Sequence, residues 1–368
     1  MILRIPTASL KEHLQNLCSI IPMKKVVPAA GYMLINASNG EIKYTVNAMH
    51  MQLEYTQSDI DIEGDVTICV NASTFTSFLG NIKGYEVFLH IEDNQLVIAA
   101  NRIIKRGVQA YKCALLPPNE FIKMKNVSRI HATRIQSSVF KDNIQKMPGF
   151  VTDDDFRAAY QNIWMTPRGD GVCMIATDGI SVIRVDMEGI ASKGVSMLTD
   201  IAPVCKKIID SGRTSTEIIV GSSTMMIDTG NYRFMSVLSE NQGFNEEFIN
   251  KILDNKGGSF IRFKKSDLEG IISRMRFVNK DQIEFSIKDG TISISATNEE
   301  YGNHGEEELI IDNVAVNNME RSFNPKIFQA GLRAIDDGIV TMYYNEEQKH
   351  IIIVGDNITV LQMAMLKL

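Results

Sequence analysis

Apolar residues recur at three- and four-residue spacing in three well-separated segments, which is the pattern of an amphipathic helix. These segments begin with TASLKEHL, TRIQSSVF and KKSDLEGI. After each one, apolar and polar residues alternate, as is typical of half-buried strands. The pattern therefore predicts one helix-and-hairpin unit repeated three times, with a period of about 125 residues.

Turn residues lie at the centre of each predicted hairpin. Asn39-Gly40 and Asp289-Gly290 suit a two-residue type I′ turn. The middle copy has no such pair, and we expect it to turn near Gly169.

A second helix and a further hairpin complete each copy. The second helices begin after Asn71, Thr199 and Asn324, which are plausible N-caps. Each copy then has two helices and roughly eight strands, which is an α+β domain. The Pro pair in LLPPNEF and the Gly pair in LDNKGG indicate boundaries, so we expect domains at 1–124, 125–254 and 255–368.

Composition narrows the cellular setting. The chain has 368 residues, 44% hydrophobic and 22% charged, as in ordinary globular proteins. No apolar run is long enough to span a bilayer, and the N-terminus does not have the pattern of a signal peptide. The cysteines are scattered and odd in number, which predicts a reducing cytoplasm; they are Cys18, Cys69, Cys113, Cys173 and Cys205.

Charge is distributed unevenly. The net charge is −6, yet the predicted helices carry more Lys and Arg than Asp and Glu. A basic helical surface on an acidic body suits a polyanion held through its phosphates, without reading of sequence. The alternative is that these helices are simply solvated. The bases expected to face a polyanion are Lys11, Lys24, Lys25, Lys83, Arg134, Lys141, Lys146, Lys206, Lys207, Arg213, Lys264, Lys265, Arg274, Arg276, Lys326 and Arg333.

Nothing in the sequence matches a common catalytic, cofactor or metal-binding motif, so we predict neither an enzyme nor a cofactor. The run Asp153–Asp155 could hold a divalent cation, and Asp178 follows a predicted strand. The corresponding position of the third copy is Asn298. That exchange favours a turn-forming role for Asp178 over a catalytic one.

Three short motifs, in their order, carry a resemblance to a known family. They are LPPNEF at the first boundary, ATDG in the middle copy and MAMLKL at the C-terminus. Together with the repeat, they make the chain similar to the bacterial DNA polymerase III β subunit, the sliding clamp. The resemblance covers the whole chain. It implies a homodimeric ring of two head-to-tail chains around double-stranded DNA, acting as a processivity factor.

The resemblance also implies a groove between the second and third domains that binds peptide motifs of the replicative polymerase and the clamp loader. The matching positions are Tyr160, Thr177, Gly179, Ile180, Ser181, Val182, Phe244, Asn245, Met363, Met365 and Leu366. It further implies a dimer interface at Tyr111, Cys113, Phe277 and Val278.

At the groove the chain departs from the family pattern. Ile180-Ser181-Val182 stands where the family has His-Arg-Leu, and Asn245 stands where it has Pro. We therefore expect a groove that is more apolar than usual. Two other functions stay open at this point: a metal-dependent enzyme that uses Asp153–Asp155 and Asp178, and a repeat-built peptide-binding protein without a DNA role.

Overall fold

The computed structural model describes residues 2–21, 31–102, 109–239, 244–288, 290–311, 318–344 and 349–365. It has the predicted α+β fold, and a similar order of elements occurs three times. The first copy consists of β1 (Ile2–Pro6), α1 (Thr7–Cys18), β2 (Tyr32–Ser38), β3 (Glu41–Ala48), β4 (Met51–Gln57), β5 (Asp61–Glu63), β6 (Val66–Asn71), α2 (Ala72–Asn81), β7 (Glu86–Glu92), β8 (Gln95–Ala99) and β9 (Ala110–Leu116).

The second copy follows the same order, and the third follows it with four rather than five strands described between its two helices. The second consists of β10 (His131–Gln136), α3 (Ser137–Ile144), β11 (Asn162–Arg168), β12 (Gly171–Thr177), β13 (Ser181–Met187), β14 (Gly189–Ala191), β15 (Val195–Leu198), α4 (Ile201–Ile208), β16 (Ser215–Val220), β17 (Thr224–Asp228) and β18 (Tyr232–Val237). After an extra helix, α5 (Glu246–Asp254), the third consists of β19 (Ser259–Lys264), α6 (Lys265–Val278), β20 (Ile283–Lys288), β21 (Thr291–Asn298), β22 (Asn303–Ile310), β23 (Met319–Phe323), α7 (Pro325–Ala334), β24 (Ile339–Tyr344), β25 (His350–Val354) and β26 (Ile358–Met363).

Local chemistry accounts for the ends of these elements. Asn39 and Gly40 have φ of 50° and 77°, as the predicted type I′ turn requires. Gly169 turns the middle hairpin with a φ of 56°. The Asn71 side chain accepts a hydrogen bond of 3.0 Å from the Thr74 N–H and so caps α2. Asp289, the first residue of the third predicted turn, lies outside the described residues.

The chain forms two compact units, Met1–Lys141 with Pro203–Leu238, and Asp142–Ala202 with Ser239–Leu368. In the first unit, adjacent strands follow the order β10-β16-β17-β18-β4-β3-β2-β6-β9-β8-β7-β1-β5. The second unit has one sheet in the order β15-β11-β12-β13-β26-β25-β24-β19 and another in the order β22-β21-β20-β23. The division into three domains at 124/125 and 254/255 stays a prediction.

Two strand pairs join successive copies of the repeat. In the first unit β4 pairs antiparallel with β18, and we call this pair the first junction. In the second unit β13 pairs antiparallel with β26, and we call this pair the second junction. In each junction, the third strand after a copy's first helix, β4 or β13, pairs with the last strand of the next copy, β18 or β26.

Within the described ranges, no helix is both long and apolar enough to cross a bilayer.

Candidate functional site

A cavity of about 370 Å³ opens over the second junction. Its floor includes Val182 of β13 and Leu361 of β26, which are directly paired. Helix α5 forms one wall. The lining residues are Tyr160, Thr177, Gly179, Ile180, Val182, Phe244, Asn245, Phe248, Ile249, Ile252, Leu253, His350, Leu361 and Met363.

The turn Thr177-Asp178-Gly179 shapes one rim of the cavity. The Asp178 carboxylate accepts hydrogen bonds from the N–H groups of Ile180, at 2.8 Å, and Ser181, at 2.6 Å. Gly179 has a φ of +88°, and a Cβ there would lie 3.0 Å from the Tyr160 ring. Only glycine combines this backbone with this contact. The predicted turn role of Asp178 is confirmed, and the turn leaves the Ile180 side chain 49% exposed at the rim.

Helix α5 was not predicted from the sequence. It begins after Asn245, whose side chain accepts a hydrogen bond of 3.0 Å from the Phe248 N–H. Acidic residues fill its first turn, where the helix dipole favours them. Its apolar side chains have helical spacing, which is a sequence signal for a helix outside the repeat; they are Phe248, Ile249, Ile252 and Leu253.

Two arginines fasten the C-terminal end of α5 to the sheet. Asp254 accepts from Arg168 of β11 and pairs with Arg184 of β13, both at 2.9 Å. The Arg184 side chain is only 4% exposed and also contacts Asp186 at 3.3 Å. Burial tends to raise the pKa of Asp254, but the hydrogen bonds from both guanidinium groups outweigh it and lower that pKa. The cavity wall is thus fixed by charge as well as by packing.

His350 is the titratable side chain that the sequence analysis missed at this cavity. Burial lowers its pKa, so the neutral imidazole prevails at neutral pH. Its Nε2 atom is buried and has no hydrogen-bond partner among the described residues. A bound peptide could satisfy that atom.

Eight of the eleven residues predicted for the groove line this cavity, whereas Ser181 and Met365 do not. Ser181 is fully buried, and its hydroxyl donates to Asp178 at 3.0 Å. Met365 is not among the lining residues, and its N–H donates to the Ser322 carbonyl at 2.7 Å. Leu366 lies outside the described residues. The peptide-binding role of the lining residues stays a prediction.

The predicted polyanion-facing bases divide by their partners within the chain. Lys24 and Lys25 lie outside the described residues. Arg134, Lys146, Arg274 and Arg333 form ion pairs with carboxylates, Lys11 and Lys265 donate to backbone carbonyls, and Arg276 donates to Gln329. In the described ranges, the predicted bases whose side chains have neither an ion pair nor one of these hydrogen bonds are Lys83, Lys141, Lys206, Lys207, Arg213, Lys264 and Lys326. Their role toward phosphates stays a prediction.

The remaining predicted residues lie in different surroundings. Asp154 accepts from the Phe156 N–H at 3.0 Å, and no cluster of three candidate metal ligands occurs among the residues that the structure describes. Tyr111 stacks on Phe78 with ring centroids 5.1 Å apart. Cys113 is buried, whereas Phe277 is 87% exposed at the end of α6.

Comparison with known proteins gives a consistent result. The chain is 22% identical to the beta sliding clamp of Staphylococcus aureus over 350 residues, 90% of this chain and 89% of that one. It is 22% identical to the beta sliding clamp of Staphylococcus epidermidis over 372 residues, 96% of each. No family model matches the chain.

Solved structures agree over the full length. A DNA polymerase sliding clamp from Pseudomonas aeruginosa is 17% identical with a TM-score of 0.90, and 100% of each chain is covered. The DNA polymerase sliding clamp from Bacillus subtilis is 16% identical with a TM-score of 0.89, again with 100% of each chain covered. The resemblance predicted from the sequence is confirmed, and the chain has the sliding-clamp fold.

Proposed function

We propose that this chain is a DNA polymerase processivity factor: a non-enzymatic sliding clamp that encircles duplex DNA and tethers the replicative polymerase. The full-length agreement with solved sliding clamps, at a TM-score of 0.90 and 100% coverage of both chains, carries this proposal. It acts in the cytoplasm and requires no cofactor.

The repeat supports a ring. Two chains of three similar copies each, arranged head to tail, close a ring of six copies. Helices from each copy line its hole, and the unpaired bases such as Lys83, Lys207 and Lys326 face the phosphates. Contacts of this kind hold the backbone without reading bases, so the ring slides.

The cavity over the second junction is the partner site. It suits a short extended segment with Leu or Phe anchors, because its lining is mostly apolar and includes the adaptable Met363. The replicative polymerase and the clamp loader supply such segments. Because Ile180 replaces the family's histidine, the partners' motifs are adapted to a more apolar site.

Topological retention on DNA tests the proposal. The purified chain is loaded by its clamp loader onto nicked circular DNA and followed by gel filtration. We expect it to stay on the circle and to be lost when a restriction enzyme linearises the DNA, since its contacts with phosphates let it slide off a free end. Equal retention on circular and linear DNA, or no retention on either, contradicts the proposal.

A further inference from the structure

We infer that the exposed face of strands β19 and β24 binds a single strand of nucleic acid. Its bases stack on Phe260 and Tyr343, and its phosphates are held by Lys256, Arg262 and Lys264. These five residues, which we call the aromatic-basic surface, belong to the second unit and do not line the cavity described above. The inference goes beyond the proposed function and does not depend on it.

Alternation along β19 separates a buried face from an exposed one. Ile261 and Phe263 are buried, so Phe260, Arg262 and Lys264 project from the opposite face. All three are exposed, and successive ones lie about 7 Å apart along the strand. The two cations therefore form a row that begins at an aromatic ring.

Two aromatic rings meet on this face. Phe260 pairs with Tyr343 of β24, and the centroids of their rings are 5.9 Å apart. The Nζ atom of Lys256 lies 5.8 Å from the centroid of the Tyr343 ring, and the guanidinium carbon of Arg262 lies 5.8 Å from that of Phe260. Rings and cations are thus interleaved, which is the arrangement that stacks unpaired bases and holds their backbone.

The equivalent arginines of the three copies have different surroundings. Arg4, Arg134 and Arg262 each lie three residues before the first helix of their copy. Arg4 forms an ion pair with Glu86 at 2.8 Å, and Arg134 forms one with Glu217 at 3.2 Å. Within the described ranges, Arg262 forms no ion pair. A carboxylate therefore neutralises this position in the first two copies and not in the third.

The strand register explains this difference. In the second copy the direct partner of the arginine is Glu217, and in the third it is Thr341. In the first copy the carboxylate lies two residues further along the adjacent strand, at Glu86, and in the third that place is Ile339. Neither replacement carries a charge, so the Arg262 guanidinium keeps its donors for a phosphate.

A single strand fits these features better than a duplex or an acidic peptide. In a duplex the bases stack on one another and present only their edges, whereas an unpaired base offers a face to an aromatic ring. The carboxylates of an acidic peptide would pair with the cations alone and leave both rings unused. Contacts through ring faces and phosphates carry little sequence information, so the surface takes any single strand.

Fluorescence anisotropy of a labelled oligothymidylate of about 12 nucleotides tests the inference on the full chain. Phe260→Ala should weaken binding at least about fivefold, with unchanged salt dependence, because it removes one stacking contact. Arg262→Gln should reduce the slope of log affinity against log salt by about 0.7, the value for one phosphate contact on a single strand. Phe156→Ala and Lys193→Gln, at exposed positions elsewhere, are the matched controls and should change neither quantity.

A second probe separates stacking from charge. A strand of the same length and charge that lacks bases should bind at least about fivefold more weakly than the oligothymidylate. Equal binding of the base-free strand, or unchanged affinity in Phe260→Ala, means a general anion surface and overturns the inference. Equal competition by a polyglutamate peptide assigns the surface to acidic protein segments and also overturns it.

These measurements are independent of the proposed clamp activity, because they need neither a clamp loader nor circular DNA. A chain that is retained on circular DNA but does not bind the oligothymidylate overturns this inference and leaves the clamp proposal intact. A chain that binds the oligothymidylate through Phe260 but is not retained on circles does the reverse. Thermal unfolding confirms that each variant is folded.

Discussion

The two junctions share one strand register and differ in what covers them. Over the first, Gln52 accepts a hydrogen bond of 2.8 Å from the Met124 N–H, and Asn47 donates to the Ile122 carbonyl at 2.9 Å. Gln52 and its partner Met235 are each 1% exposed. Over the second junction, Val182 and Leu361 line the 370 Å³ cavity.

The side chains at equivalent positions explain this difference. The Gln52 and Asn47 side chains form hydrogen bonds with the backbone of residues 122–124, which follow the first copy, and hold that segment against β3 and β4. The Val182 side chain has no polar atom. The Thr177 hydroxyl donates to the Ser181 carbonyl of its own turn at 2.7 Å. The segment after the second copy instead folds as α5. The two junctions therefore have the same strand pairing. The first is covered by the following segment and the second is open, because the side chains at two equivalent positions differ.

Val182→Gln should have the largest effect, because it places the first junction's polar side chain on the cavity floor. A buried amide without a partner costs about 2 kcal/mol, so we expect binding of a Leu/Phe-anchored clamp-binding peptide to weaken about thirtyfold. Isothermal titration calorimetry measures this. Ile339→Gln, at an exposed position outside the cavity, is the matched control. Unchanged affinity in Val182→Gln would refute the assignment of the cavity as the peptide site.

Asp254→Asn should weaken the attachment of α5 to the sheet beside the second junction. The variant removes a negative charge that pairs with the buried Arg184 guanidinium. Because Asp254 is 48% exposed, we expect the free energy of unfolding to fall by only about 1–2 kcal/mol. The pKa of Asp254 is lowered by folding, so its contribution is present above a pH of about 4 and is lost as the pH falls further. Urea unfolding at neutral pH and at a pH below about 4 tests this, with exposed Glu247→Gln as the control. Equal stability of Asp254→Asn and wild type at neutral pH would exclude the anchoring role.

Gln52→Leu should weaken the contact between the first junction and the segment that covers it. It leaves the Met124 N–H without its acceptor, at a cost of about 1 kcal/mol. Hydrogen exchange at Met124 should become about fivefold faster. Gln57→Leu, on the same strand, should leave that amide unchanged; equal protection of Met124 in wild type and Gln52→Leu would mean that packing alone seals this junction.

His350 gives the smallest effect. Its pKa is lowered by burial, and a bound peptide buries it further, so the protonated form opposes binding. Peptide affinity should be constant at neutral pH and fall at a pH below the ordinary histidine pKa of about 6.5, where the imidazole becomes protonated. His350→Gln should remove this dependence; a persistent pH dependence in that variant would assign it to another group.

The repeat, the turn at Asn39-Gly40 and the caps at Asn71 and Asn324 were predictable because they depend on neighbours in the sequence. The predicted cap at Thr199 was wrong, because α4 begins at Ile201 and the Thr199 hydroxyl donates to the Gln161 carbonyl. Asn39-Gly40 forms its turn and Asn71 its cap through contacts within four residues. Helix α5 has apolar residues at helical spacing, but it has no counterpart in the repeat that predicts the other helices. The ion pairs of Arg134 and Arg274 join residues distant in the sequence, so no local pattern indicates which bases stay available to phosphates.

The sequence by itself determined the three-copy α+β fold and the turn role of Asp178, because periodicity, turn residues and caps act over a few residues. The tertiary structure decided that one junction is sealed and the other open. It also decided that Asp254 lies between two arginines. Those outcomes depend on side chains brought together from different copies, where a single amide or a missing polar atom determines what the next segment of chain can bind.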